Sequence, residues 1–278
     1  MQTVELSSGT VEYEDSGGSG PIVVLLHGLV MNWSLWRHVV ANLRDEFRCI
    51  VPTFPLGGHR FPVKAEFELS PKGVAMLIGE FLDALDLSSL TLVENDTGRA
   101  QTFAGTCPPR VARLVLVSCE AFENYPPGLP GKTVSFVAKI PGGLNALVQP
   151  LRIRALRRLP MALGRMTKRK VPHDITDDWL RPVLNQRAIR KDLVRYLRAV
   201  DKREMLEAAE QLSAFDRPAL VVWAEEDRVM PIDTGRRLAE ALPRGEFATV
   251  SDSYTLIPED QPDELSRLIR DFIRRTPL

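Results

Sequence analysis

The stretch that most constrains this chain is Leu90–Ala104, Leu-Thr-Leu-Val-Glu-Asn-Asp-Thr-Gly-Arg-Ala-Gln-Thr-Phe-Ala. Leu90, Thr91, Leu92 and Val93 read as a short buried strand. Ala100, Gln101 and Ala104 open a helix after Gly98. Between them, Asn95-Asp96-Thr97-Gly98 leaves only a tight strand-to-helix turn with a carboxylate at its tip. Such a turn pushes its tip side chain out over the end of a sheet, the geometry of a nucleophile elbow, whose usual occupant is the Ser of G-x-S-x-G. Asp suits a strained tip because it tolerates left-handed backbone. The alternative is a helix cap, with Asp96 accepting from first-turn amides. The rest of the chain decides between the two.

Around that stretch, strands alternate with helices. Thr3–Tyr13 reads as a β-hairpin turning at Ser7-Ser8-Gly9, followed by the flexible 16–20 segment. Ile22–Leu26 is a continuous apolar run, suited to a central parallel strand covered on both faces, and it ends in His27-Gly28. Trp33–Leu43 has helical spacing, Phe47–Val51 reads as a strand, and Pro52–Pro62 is a loop carrying His59. Pro71–Leu85 is an amphipathic helix with Pro71 in its first turn, and Leu114–Val117 is the next strand. This alternation means a mostly parallel sheet wrapped by helices.

The pattern stops after Glu120 and resumes with Leu220–Trp223, Thr234–Leu242, Glu246–Val250 and Asp263–Ile273. Between lie helical segments, including Val148–Leu159 and Asp177–Leu206. The expected division is a core of residues 1–122 and 213–278, with a helical cap inserted at 123–212.

At 278 residues the chain can bury a large core. Its 36 basic and 36 acidic residues cancel, so no global field argues for nucleic acid or an anionic membrane as partner. No apolar run approaches the ~20 residues of a spanning helix, and the start carries no leader pattern. Cys49, Cys107 and Cys119, odd in number and without metal-like spacing, point to a reducing, cytoplasmic setting and to core packing at Cys49 and Cys119. No metal or cofactor is expected. A small molecule is the expected partner, and a homodimer is left open. The run Arg152, Arg154, Arg157, Arg158, Arg165, Lys168, Arg169 and Lys170 could grip an acidic ligand, but reads more simply as a solvated face.

Strand–His27-Gly28, elbow at Asp96, helical insert and Trp223-Ala-Glu-Glu-Asp227-Arg-Val-Met-Pro231, in this order, resemble the α/β-hydrolase superfamily over nearly the whole chain. The Asp at the elbow places it nearest the dehalogenase and epoxide hydrolase arm. There a carboxylate attacks carbon, and a His-activated water cleaves the resulting ester. The resemblance implies oxyanion-hole amides from Leu29 and Thr97, a triad acid at Asp227, and an alternative acid at Glu120. It also implies that His27, Gly28, Tyr196, Tyr254 and Thr255 surround the substrate.

One part of that pattern is missing. The base should be a His after the last strand, and the four histidines (27, 38, 59 and 173) all lie earlier. In the loop 252–260, aligning Pro-Glu-Asp with the family's pattern puts Thr255 in the His position. A Thr cannot take a proton near neutral pH. His59, in a loop at the carboxyl edge of the sheet, is the substitute base to test. Thr97 stands where dehalogenases carry a halide-binding Trp, and the insert offers only Tyr125 and Tyr196 where epoxide hydrolases carry paired tyrosines. Glu94 and Arg99 replace small elbow residues and are expected to pair across the turn or crowd it. The expected function is an α/β-hydrolase-family enzyme acting through Asp96 on a small or medium apolar substrate. The alternatives are a lyase, isomerase or cyclase using Asp96 as acid or base, or a binder whose triad has decayed.

Overall fold

A computed structural model describes residues 1–106 and 108–277; Cys107 lies outside the described residues. Eight strands form one sheet in the order β1-β2-β4-β3-β5-β6-β7-β8. The hairpin β1 (Gln2–Leu6) and β2 (Gly9–Asp15) is antiparallel and joins β4 (Arg48–Thr53) antiparallel. β3 (Ile22–Leu26), β4, β5 (Leu90–Asp96), β6 (Val111–Cys119), β7 (Ala219–Ala224) and β8 (Gly245–Val250) run parallel.

Strand alternation divides the core between the two faces of the sheet. Val24, Leu26, Leu92, Leu116 and Trp223 pack on one side, and Val23, Leu25, Val93, Val117 and Val222 on the other. The second side is closed by α1 (Arg37–Leu43) and, later in the chain, by Leu265, Ile269 and Phe272 of the final helix. The first is closed by α2 (Pro71–Ala84), which Ser70 caps by accepting from Gly73 N–H, and by Ala100 and Ala104 of α3 (Arg99–Ala104).

The chain leaves β3 for β4 on one side, then returns to place β5 on the other side of β3. This reversal opens a crevice beyond the carboxyl ends of β3 and β5, where ligands bind in open parallel sheets. Leu29 follows one of those ends and Asp96 terminates the other.

Strands cease at Cys119 and resume at Ala219. The helices between are α4 (Gly128–Ala138), α5 (Gly143–Val148), α6 (His173–Asn185), α7 (Arg187–Arg198) and α8 (Lys202–Gln211). The helix expected over Val148–Leu159 is instead the end of α5 and two 3₁₀ turns, Gln149–Arg152 and Arg154–Arg158, separated by extended Ile153. Pro150 has no N–H to continue an α-helix. The segment expected over Asp177–Leu206 breaks into three helices, at extended Gln186 and at Asp201, whose side chain caps α8. The core is completed by α9 (Ile232–Ala241), α10 (Ile257–Asp260) and α11 (Pro262–Arg275).

Candidate active site

β5 is buried along its whole length and ends on Asp96 at φ +76°. That left-handed turn lifts the side chain off the strand. The carboxylate does not cap α3. Its Oδ2 accepts from the Leu29 amide at 2.9 Å, across from β3. A Cβ on Gly28 would lie 2.2 Å from that same oxygen, so only glycine lets the loop approach so closely.

The capping task falls to Glu94. Its Oε1 accepts from Thr97 Oγ1 at 2.9 Å and from the Arg99 amide at 2.7 Å, and its Oε2 from the Ala100 amide at 2.8 Å. The two amides are first-turn donors that a helix otherwise leaves unpaired. Burial pushes Glu94 up to about 8, against the nearby Arg99 charge and its hydrogen bonds. The expected pairing across the turn is therefore to the Arg99 backbone. The Arg99 guanidinium goes instead to Glu120 Oε2 at 3.5 Å and Met205 Sδ at 3.1 Å, and sits 5.3 Å from the Tyr125 ring centroid. It is 1% exposed, and its Nε and Nη1 have no partner among the described residues. Next to it, a Cβ on Gly98 would lie 2.5 Å from Met205 Cε and 2.9 Å from the Glu120 carbonyl oxygen.

Asp96 opens onto a cavity of about 390 Å³ between sheet and cap. Leu29, Thr97, Glu120, Tyr125 and Tyr196 line it with Asp96, and the rest of its wall is largely aliphatic, from Val30 to Leu193 and Val229. Burial raises Asp96 to about 7, against the Leu29 hydrogen bond and helped by the charge of Asp227. Glu120 rises to about 8, mainly by burial, with Arg99 opposing and Asp96 reinforcing. The Tyr125 and Tyr196 hydroxyls are buried and without partners among the described residues, and burial raises both phenols well above their ordinary value. Two orphaned phenols facing one cavity are donors for an oxygen atom of a ligand.

Other residues expected at the site lie elsewhere. Thr255 is fully buried and its Oγ1 donates to Asp227 Oδ1 at 2.8 Å. That oxygen also accepts from the Val229 and Met230 amides at 2.9 and 2.8 Å. Asn95 Nδ2 donates to the Thr255 carbonyl at 2.9 Å, which ties the loop to the residue beside Asp96. Thr255 thus occupies the place beside Asp227, and burial raises the Asp227 carboxyl above its ordinary value. Neither residue lines the cavity, nor does Tyr254, whose ring stacks under Arg228. The Thr97 amide donates to the Asn95 carbonyl at 3.1 Å, and Leu29's amide holds Asp96 itself. The two amides do not form an open pair of donors.

His27 is buried and pushed down to about 4 by that burial, so it is neutral. Its Nε2 accepts from the Phe54 amide at 2.9 Å, and its Nδ1 lies 2.7 Å from the Gly28 carbonyl oxygen. Both nitrogens shape the loop and neither is free for substrate. His59 is likewise engaged. Gly57 N–H donates to its Nδ1 at 3.2 Å, and its Nε2 faces Asp192 of α7 at 3.5 Å. It ties the 52–62 loop to the cap and does not line the cavity. His38 is exposed on α1, and His173 opens α6 away from the cavity wall.

A mostly parallel eight-stranded sheet, with a capped cavity over an acidic elbow, defines an α/β-hydrolase. Residues 21–262 match the alpha/beta hydrolase fold family, and the chain belongs to that family. It is 25% identical over 256 residues to the uncharacterized hydrolase YugF of Bacillus subtilis, covering 91% of this chain and 89% of that one. It is 26% identical over 273 residues to the 2-hydroxy-6-oxononadienedioate/2-hydroxy-6-oxononatrienedioate hydrolase of Burkholderia vietnamiensis, covering 95% and 91%. Its fold is similar to that of the haloalkane dehalogenase DbeA from Bradyrhizobium elkani, with a TM-score of 0.80 and 19% identity over 99% of this chain and 97% of that one.

Proposed function

We propose that this protein is a hydrolase that attacks a small or medium apolar electrophile with Asp96, holding the product as an ester that it releases slowly. The observation that carries this is the Asp96 carboxylate itself. It projects from a left-handed elbow, has one oxygen on the Leu29 amide, and faces an apolar cavity. With Oδ2 so held, Oδ1 is the oxygen left to attack carbon. Oδ2 then becomes the ester carbonyl, and the Leu29 N–H is aimed where an oxyanion would develop on water attack.

The unpartnered phenols of Tyr125 and Tyr196 favour an oxygen leaving group, such as that of an epoxide, over halide. In that step Asp96 forms a bond to carbon and the carbon–oxygen bond breaks. The departing oxygen takes a proton from a phenol, which solvent replaces. The second step needs water deprotonated near neutral pH. Thr255 cannot do this, and His59 is bound elsewhere.

The test is intact-mass analysis after incubation with styrene oxide. Wild type should gain one adduct's mass on Asp96, and Asp96→Asn should gain none; an unmodified wild type contradicts the proposal. One feature favours a second reading. At about 7, Asp96 is poised to exchange protons at neutral pH, as a lyase or isomerase would require. An unmodified protein that exchanges a substrate's acidic C–H with solvent deuterium would favour that reading.

A further inference from the structure

The overall charge balance conceals a segregation. Residues 123–212 carry 18 Lys and Arg against nine Asp and Glu, leaving 18 against 27 in the rest of the chain. Much of the basic run at 152–170 is spent inside the molecule. Arg154 and Arg157 pair with Asp177, Lys168 with Glu226 and Asp252, and Arg169 with Asp252. Free cations remain beside α4. Lys132, Lys139 and Lys202 line an outer hollow of about 610 Å³, and none is in an ion pair among the described residues. Its one carboxylate, Asp201, is already held by the Arg203 side chain and amide.

The same helix is apolar toward the outside. Leu129 and Phe136 are 60% and 65% exposed and flank Lys132 at helical spacing, with Lys139 and exposed Ile140 just past the helix end. Its inner side, through Pro130, Gly131 and Val134, lines the Asp96 cavity. Leu159 and Met161 are exposed and line that cavity too, so they mark its mouth. Seven of the ten large exposed apolar side chains of the described residues fall within 123–212, three of them on or just past α4.

We propose that this face of the cap docks on an anionic lipid surface, with Leu129, Phe136 and Ile140 inserted and Lys132, Lys139 and Lys202 at the headgroups. Apolar side chains set among unpaired cations are what an interface of acyl chains and anionic headgroups binds. A symmetric second copy would oppose these lysines to their own images. A single-stranded nucleic acid would need stacking aromatics, and Phe136 is the one aromatic on the outer face of α4. No described helix is long and apolar enough to cross a membrane, so the docking is peripheral. In this proposal the cavity mouth, marked by Leu159 and Met161, faces the acyl layer. That placement makes the substrate a membrane-dissolved apolar molecule, a corollary that rests on the Asp96 reading.

Co-sedimentation of the whole protein with vesicles tests the docking without catalysis. The protein should bind mixed phosphatidylcholine–phosphatidylglycerol vesicles, bind phosphatidylcholine alone far less, and weaken with salt. Lys132→Glu with Lys139→Glu should lower the partition coefficient by about tenfold or more. Phe136→Asp should lower it too, with both variants checked for wild-type circular dichroism and melting. Asp96→Asn should bind as wild type does, so a failed Asp96 chemistry leaves this result standing. The proposal is overturned by absence of binding to the mixed vesicles, by binding that these variants leave unchanged, or by heparin retention or dimer formation through this face without vesicle binding.

Discussion

Two loops meet over the carboxyl edge of the sheet and differ in what they retain. The elbow after β5 keeps its acid: Asp96 is held at φ +76°, with one oxygen on Leu29 N–H. The loop after β8 keeps the position but not the base, since Thr255 donates to Asp227 where a proton-accepting ring would sit. Asn95, one residue from Asp96, bonds the Thr255 carbonyl, so the two loops are stapled in a common frame. On the proposed reading, attack on carbon and activation of water are separable provisions. The first needs an aimed carboxylate and a held oxygen; the second needs a group that titrates near neutral pH.

The sharpest way to break this comparison is to remove the elbow's acid. Asp96→Asn should cut adduct formation on the order of 10⁴-fold or more, read by intact mass against time. Next comes the opposite loop. Thr255→His, placed against Asp227, should speed release of the adduct about 10²–10⁴-fold, read as turnover after the first equivalent. The protonation of Asp96 provides a third test. Adduct formation should climb roughly tenfold per unit well below pH 7 and level off above it, because only the ionised carboxylate attacks.

The same group links to stability. Its folded pKa of about 7 exceeds the ordinary carboxyl value, so its protonated form favours folding. That contribution is complete below about pH 4 and is lost as pH rises through about 7. Asp96→Asn should therefore be the more stable protein at pH 8, on the order of 2 kcal/mol by urea unfolding, and should show a flatter pH dependence. The smallest effect belongs to His59→Gln, which should leave the adduct rate within about twofold, since its ring faces Asp192 rather than the cavity. A large loss there would put the base back in the 52–62 loop.

The elbow was legible because its signal is local: an apolar strand, a turn and a helix within fifteen residues. Thr255 was legible from its distance to Pro258-Glu259-Asp260. Glu94 was not, because a buried strand residue reaching forward to cap the next helix looks in sequence like a misplaced charge. For Arg99 the sequence leaves pairing across the turn and crowding both open, for a similar reason. Its surroundings, Met205 and Tyr125, belong to the insert and are brought over the elbow by packing. The partner of His59 is not legible in sequence, because Asp192 lies 133 residues away. Its loop position showed where a ligand binds, but not which way the ring points. The breaks inside the insert fall at Gln186 and Asp201, where the backbone turns extended with no Gly or Pro at either position to announce it.

The most direct measurement of the central claim is the lifetime of the styrene oxide adduct, followed by intact mass after excess electrophile is removed. Wild type should hold the adduct far longer than Thr255→His, which should return to unmodified mass about 10²–10⁴-fold faster. Equal lifetimes, or multiple turnover in wild type that survives His59→Gln and His173→Gln, would contradict the account.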